Sequence, residues 1–95
     1  LPDLIFSNGG DDIIIGNNGN DCIFAGEGSD IVFGNNGDDN ITGGQGNDII
    51  KGASGDDILK GGIGLDMIDG GDDIDRCIII DEQNSDLVVK CEINE

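Results

Sequence analysis

The sequence contains no histidine and only four lysine and arginine residues, against 21 aspartate and glutamate residues. Without histidine, the commonest general base is missing, and no nucleophile–base pair is recognisable around the serines. Zinc is unsuitable because it relies on histidine or clustered cysteine. The negative charge excludes nucleic acid and anionic membrane surfaces as partners. We therefore expect neither an enzyme nor a nucleic-acid-binding protein.

Long apolar stretches are also missing. No run of 18 apolar residues is present, so we expect no membrane span. The 95 residues carry a net charge of −17 and include 18 glycines, a composition close to that of disordered proteins. Burial of the few apolar side chains would not offset the entropy of ordering this chain. The sequence therefore predicts a fold that needs an external, cationic stabiliser.

The sequence does contain an aspartate at every ninth position over most of its length. These aspartates are Asp3, Asp12, Asp21, Asp30, Asp39, Asp48, Asp57, Asp66 and Asp75. Two residues after each stands a residue that can be buried, and two residues before each from Asp12 to Asp66 stands glycine. A nine-residue unit cannot bury its own apolar face, so it must stack on copies of itself in a solenoid.

Each nonapeptide unit has two halves when its aspartate is numbered position six. Positions one to six are rich in glycine and asparagine, which tolerate positive φ, and predict a turn; Ala53 at position two is the one poor fit. Positions seven to nine are mostly β-branched or aromatic and predict a short strand with position eight inward. We therefore predict an all-β, two-sheet β-solenoid.

The oxygen-rich turns indicate a hard cation. Carboxylate, carbonyl and amide oxygens suit calcium, which accepts irregular geometry, better than magnesium, which prefers a strict octahedron. With two units per turn of the solenoid, loops 18 residues apart lie above one another at the strand spacing of ~4.8 Å. Their aspartates converge, and two like charges at that distance are tolerable only around a cation.

The eight units over residues 7–78 resemble G-G-x-G-x-D-x-U-x, the repeat of the RTX (repeats-in-toxin) calcium-binding family. The resemblance implies a right-handed parallel β-roll over residues 1–78, with a partial first repeat at 1–6 and complete repeats at 7–78. Residues 79–95 would form a C-terminal capping segment. It also implies one calcium ion between each loop and the loop 18 residues later, about six ions in total.

The family implies that each ion is held by carbonyls of positions two and four and the aspartate of one loop, with carbonyls of positions one and three and the aspartate of the next. On one edge the sets are Asn8, Gly10 and Asp12 with Ala25, Glu27 and Asp30; Gly26, Gly28 and Asp30 with Gly43, Gln45 and Asp48; Gly44, Gly46 and Asp48 with Gly61, Ile63 and Asp66. On the other edge they are Asn17, Gly19 and Asp21 with Gly34, Asn36 and Asp39; Asn35, Gly37 and Asp39 with Gly52, Ser54 and Asp57; Ala53, Gly55 and Asp57 with Gly70, Asp72 and Asp75. The pairs of Asp3 with Asp21 and of Asp66 with Asn84 are not counted as complete sites.

Beyond residue 78 the nine-residue register breaks. Residues 86–89 resemble a late unit displaced by a two-residue insertion. Cys77 and Cys91 are interpreted as a disulfide that staples this cap, with a metal or redox pair as the alternative. A bridge would indicate an oxidising compartment. Cys22 stands at position seven and is predicted to point outward.

The outward positions are apolar towards the N-terminus. If alternate units share a sheet, its outer face carries one column of apolar residues, Ile13, Ile31, Ile49 and Met67, flanked by Ile15 and Phe33. Such a concentration of apolar surface predicts self-association or contact with a neighbouring domain.

The function predicted from these features is that of a secreted or cell-surface module that folds on binding calcium and stabilises, spaces or helps fold an attached domain. Two alternatives stay open: a non-catalytic module of a secreted enzyme, and an adhesive or ice-binding repeat. An ice-binding surface would favour a regular outward array of threonine, whereas Thr42 is the only threonine.

Overall fold

The computed structural model of the chain describes residues 4–78, 87–89 and 91–94, and every regular element among them is a three-residue strand. The strands are β1 (Leu4–Phe6), β2 (Ile13–Ile15), β3 (Cys22–Phe24), β4 (Ile31–Phe33), β5 (Asn40–Thr42), β6 (Ile49–Lys51), β7 (Ile58–Lys60), β8 (Met67–Asp69), β9 (Arg76–Ile78), β10 (Leu87–Val89) and β11 (Glu92–Asn94). Up to β9 they occupy positions seven to nine of the repeat, as predicted.

Alternate strands belong to two parallel sheets. The odd-numbered strands form a six-stranded sheet in the order β1-β3-β5-β7-β9-β11, and the even-numbered strands form a five-stranded sheet in the order β10-β8-β6-β4-β2. Within each sheet, residues 18 apart are partners through β9, for example Ile14 with Val32 and Ile23 with Ile41. Two nonapeptides therefore make one coil, which confirms the predicted two-sheet β-roll.

The core is a single column of side chains from each sheet. Its members are the residues at position eight, together with Ala25: Ile14, Ile23, Val32, Ile41, Ile50, Leu59, Ile68 and Cys77. Short strands present only one inward residue each, so the apolar interior stays narrow. Seven position-six aspartates lie beside this core and are 2% exposed or less. The interior is thus bounded at both edges by carboxylates.

Positions two and four of most loops adopt the left-handed conformation. At position four, Gly28 has φ +108°, and a Cβ there would collide with the carbonyl oxygen of Gly10 in the coil before. Glycine is needed at this point both for its φ and for the close stacking. Ala53 at position two and Asp73 at position four share the left-handed conformation, each with φ +71°. Ala53, the poor fit in the sequence, is therefore a point of backbone strain.

The chain continues the solenoid after the repeats end. Val88 of β10 pairs with Ile68 of β8, 20 residues away instead of 18, which confirms the predicted two-residue displacement. β11 pairs with β9, and Cys77 is bonded to Cys91 next to this pair, with a Cα–Cα distance of 5.7 Å. The predicted disulfide is thus present and joins the last strands to the core. Cys22 is free and half-buried.

Replacement of Ala53 by glycine should stabilise the calcium-loaded protein. Removing the Cβ relieves the left-handed strain, and we expect the free energy of unfolding to rise by about 1 kcal/mol. Thermal unfolding at saturating calcium would measure the change. Asn35→Gly is the matched control, because Asn35 has φ +68° at the same position of the preceding loop on this edge and asparagine tolerates it well. Equal gains for the two variants would contradict the assignment of strain to Ala53.

Candidate metal centres between stacked loops

Eight six-residue loops connect the strands of the repeat region and stack in two columns, one at each edge of the roll. One edge carries loops 7–12, 25–30, 43–48 and 61–66, and the other carries loops 16–21, 34–39, 52–57 and 70–75. All residues of the six predicted ligand sets lie in these loops. Each column contains three gaps between successive loops, so the structure has six gaps of the predicted kind. Asp3 and Asn84 lie outside the described residues.

The position-six aspartates meet across these gaps. In every gap, the Oδ1 atom of the later aspartate accepts a hydrogen bond from the backbone N–H of the earlier one, at 2.7–2.9 Å. Asp39 illustrates the arrangement, since its Oδ1 accepts from the N–H of Asp21 while its own N–H donates to Asp57. The predicted convergence of aspartates 18 residues apart is therefore seen along both columns.

The second oxygen of these carboxylates faces a different environment. The Oδ2 atoms of Asp30, Asp39, Asp48, Asp57 and Asp75 are buried and accept no hydrogen bond from the described residues. Buried polar atoms in proteins nearly always have a partner, and a carboxylate oxygen without one is costly. A row of such oxygens at the same position in successive coils indicates that a partner of another kind belongs there.

Backbone carbonyl oxygens lie beside the same carboxylates. A Cβ placed on Gly34, at position one, would lie 2.6 Å from Oδ2 of Asp39 and 3.1 Å from the carbonyl oxygen of Gly52 in the next loop. For Gly43 the corresponding distances are 2.5 Å to Asp48 and 2.9 Å to the carbonyl oxygen of Gly61. Two acceptor oxygens thus flank one small space. This donor set of oxygens fits a hard cation.

Carbonyls of positions two and four also point across the gaps. A Cβ on Gly26 would lie 2.6 Å from the carbonyl oxygen of Asn8, and one on Gly28 would meet the carbonyl oxygen of Gly10. Some of the predicted carbonyl oxygens already accept a backbone hydrogen bond. The carbonyl of Gln45, at position three, accepts from the N–H of Gly28 at 3.1 Å, and the carbonyl of Ala53, at position two, accepts from the N–H of Asp72 at 3.1 Å. A carbonyl oxygen has two lone pairs, so these bonds leave acceptor capacity.

Burial acts strongly on the aspartates at the centre of the columns. Desolvation raises the pKa of Asp39 and Asp48 to about 6 and the pKa of Asp57 to about 8. The backbone hydrogen bond from the preceding coil opposes this rise, and neighbouring carboxylates, such as Asp75 beside Asp57, add to it. Desolvation raises the pKa of Asp75 as well. Burial therefore opposes the ionisation of these carboxyl groups when no cation is bound.

Position five has a role that the sequence did not reveal. Side-chain oxygens of Asp11, Asn20, Asp38, Asn47 and Asp56 each accept the position-five N–H of the next loop on the same edge, at 2.8–3.0 Å. The sequence feature that could have predicted this role is the repeated occurrence of aspartate or asparagine at position five. This outer ladder fixes the stacking of the loops without entering the gaps.

The metal-binding chemistry available in the gaps is narrow. Among the described residues, no three His, Cys, Asp or Glu side chains come together in a cluster of the kind that holds zinc or a transition metal. Each gap combines two aspartates with backbone carbonyls instead.

Among the residues that the structure describes there is no helix that could serve as a transmembrane segment.

Comparison with known proteins agrees with this arrangement. The family model of the RTX calcium-binding nonapeptide repeat matches the chain in four overlapping copies, at residues 2–32, 15–50, 33–68 and 42–77. No curated protein and no solved structure matches the chain. The family match covers most of the 95 residues and confirms the resemblance drawn from the motif. The chain belongs to the family of RTX calcium-binding nonapeptide repeats.

Proposed function

We propose that this calcium-binding module folds when it binds about six calcium ions, one in each gap between stacked loops, in an extracellular setting. The ligands would be the six sets of aspartates and carbonyls given above. The observation that carries the proposal is the row of buried Oδ2 atoms that accept no hydrogen bond from the described residues. Three of these atoms, in Asp39, Asp48 and Asp57, lie beside a carbonyl oxygen of the next loop. When bound, calcium supplies the positive charge that these oxygens lack.

The charge of the chain supports coupling between binding and folding. At a net charge of −17, repulsion opposes compaction, and six divalent ions would reduce the net charge to −5. A preformed cluster of buried, ionised aspartates would be unstable, so the loops and the sites would form together. Binding free energy is then largely folding free energy. Extracellular calcium modules commonly bind at ~10⁻⁴–10⁻³ M, a range suited to a protein that folds after export.

The setting outside the cell rests on the disulfide. Cys77 lies in the core and is bonded to Cys91, and such bridges persist in oxidising compartments. Residues 1–78 would be the calcium-binding β-roll, and residues 79–95 the segment that caps it. The role would be to stabilise, space or help fold an attached domain, with no catalytic activity of its own. The family is a structural calcium-binding repeat, which supports this assignment over the alternative of an enzyme.

The partner on the N-terminal half would be a neighbouring domain. Ile13 is 70% exposed and Ile15 51%, and they pair with Ile31 and Phe33 on the outer face of the five-stranded sheet. This face measures roughly 19 Å by 10 Å from strand spacing and strand length. That is far below the ~800 Å² per partner of a standard interface, so self-association through it would be weak. A tethered domain gains from high effective concentration.

The calcium requirement can be tested with two isosteric substitutions. Asp39→Asn keeps an Oδ1 acceptor for the N–H of Asp21 but removes the charge shared by two gaps, so we expect the apparent calcium affinity to fall more than about tenfold. Asp11→Asn keeps the position-five hydrogen bond to Ser29 and should change the affinity little. Calcium titration followed by far-UV circular dichroism, with reversal by EDTA, measures both. Equal effects would refute the ligand assignment.

Calcium binding should compete with protons. The folded-state pKa values of Asp39, Asp48 and Asp57 lie above the ordinary value of 3.8, so their contribution to the calcium-free roll is present in acid and lost as the pH rises through 6 to 8. Bound calcium requires the ionised form. Unfolding returns these aspartates to ordinary pKa values, so we expect far-UV circular dichroism of the chain in EDTA to show more strand signal at pH 4 than at pH 8. An equal strand signal in EDTA at the two pH values would contradict the burial of these groups.

The proposed contact surface predicts a monomer with an apolar patch. In saturating calcium, the chain should sediment as a monomer and bind the neutral dye Nile red, and Ile13→Ser with Ile15→Ser should reduce dye binding. Ile58→Ser is the control, since Ile58 is an isoleucine exposed on the other sheet. A concentration-dependent dimer that the double substitution abolishes would instead make the partner a second copy of the chain. Equal loss of dye binding in the control would argue against a localised surface.

A further inference from the structure

The six gaps are not equivalent, because the residue at position one of the leading loop differs between them. Four gaps are led by glycine: Gly16, Gly34, Gly43 and Gly52. The remaining two are the first two gaps on one edge, and they are led by Ser7 and Ala25. Only these two residues bring a side chain to position one of a leading loop.

A side chain at position one points into the gap. At Gly16, an added Cβ would lie 2.7 Å from Oδ2 of Asp21 and 3.0 Å from the carbonyl oxygen of Gly34. At Gly34, an added Cβ would lie 2.6 Å from Oδ2 of Asp39 and 3.1 Å from the carbonyl oxygen of Gly52. A carbon atom this close to two oxygen atoms requires the loop to shift. It also occupies part of the space between the loops that a cation bound to these oxygens would need. Glycine therefore leaves open the region that any side chain at position one would enter.

Ser7 fills this region with a hydrogen-bond donor. Its hydroxyl donates to Oδ2 of Asp12, the atom that corresponds to the unpartnered Oδ2 of Asp30, Asp39, Asp48, Asp57 and Asp75. Asp12 is also only half-buried. The first gap thus has a neutral partner for its carboxylate built into the chain. A cation there would have to displace this bond, and it would relieve a smaller desolvation penalty.

Ala25 brings a methyl group to position one of its gap and offers no hydrogen-bond donor. Its methyl group is fully buried within the core cluster, and Oδ2 of Asp30 in the same loop has no hydrogen-bond partner. The requirement for a cation therefore persists in the second gap, but the space is reduced by the methyl group. Overpacked sites of this kind relax at an energetic cost.

We infer that the side chain at position one grades the calcium affinity of the gaps, so that four ions bind first and the gaps led by Ser7 and Ala25 fill last. This inference rests on the proposed function, because it assigns an order to the same six sites. The N-terminal end of one edge would then be the part of the roll that responds to calcium at the highest concentrations.

Native mass spectrometry of the full chain over a calcium series, together with calorimetry, would count the ions at each concentration. We expect the wild type to bind four ions first. The last two should require about tenfold more calcium, because a tenfold change in affinity corresponds to a typical free-energy cost of overpacking. The double variant Ser7→Gly/Ala25→Gly should bind the last two ions at a lower calcium concentration, closer to that of the first four. This gain is diagnostic because added glycine flexibility alone would weaken binding that is coupled to folding.

Two further variants control the experiment. Gly43→Ala copies the environment of Ala25 into the next gap of the same edge and should reduce the early group from four ions to three. Ser29→Gly makes the same change as Ser7→Gly at an exposed position-five residue and should leave the order unchanged. An unaltered loading order in the double variant, or weaker binding of its last two ions, would overturn the inference while leaving calcium binding intact. A wild-type chain that bound no calcium would instead overturn the proposed function.

Discussion

Stacked carboxylates dominate the physics of this protein. Each coil brings an aspartate to each edge, and the 18-residue repeat places successive aspartates over one another with one oxygen bonded to the preceding coil and the other facing a carbonyl. In ordinary solenoids a wide apolar interior holds neighbouring coils together. Here the strands are three residues long, and β2 to β9 contribute one buried apolar side chain each, so the edges must carry much of the cohesion. The loops become the stabilising part of the fold.

Each position of the nine-residue repeat has its own structural role. Position eight forms the core, position six lines the gaps, and positions two and four provide left-handed turns that let carbonyls approach the next coil. Position five adds an outer ladder of hydrogen bonds, such as that from Ser29 to Asp11, which keeps loops in register. Position one must be small, because its Cβ would point between the carboxylate and the carbonyl. A substitution therefore acts through its position in the repeat more than through its place along the chain.

The sequence predicted the parts that periodicity determines. The pairing of Ile14 with Val32 and the convergence of Asp39 with Asp21 follow once a unit is known to be nine residues long and two units make a coil. The acceptor role of Asp38 did not follow, since a hydrogen bond at an exposed side chain depends on loop spacing that the sequence does not state. The same holds for the bond from Ser7 to Asp12. The bonding of Cys77 to Cys91 was one of two options, and the pairing of β11 with β9 decides between them because it brings the two cysteines together.

The C-terminal end shows how the protein closes a stack that depends on complete loops. Only two residues, 90 and 91, separate β10 from β11, whereas a loop of the repeat needs six positions to present its carbonyls and its aspartate. The edge that carries loop 70–75 therefore has no further loop of this type with which Asp75 can form a gap. At that point Cys77 occupies the core position and is bonded to Cys91, one residue before β11. A covalent link joins coils where the column of carboxylates ends, so the last strands can remain docked without a cation between them.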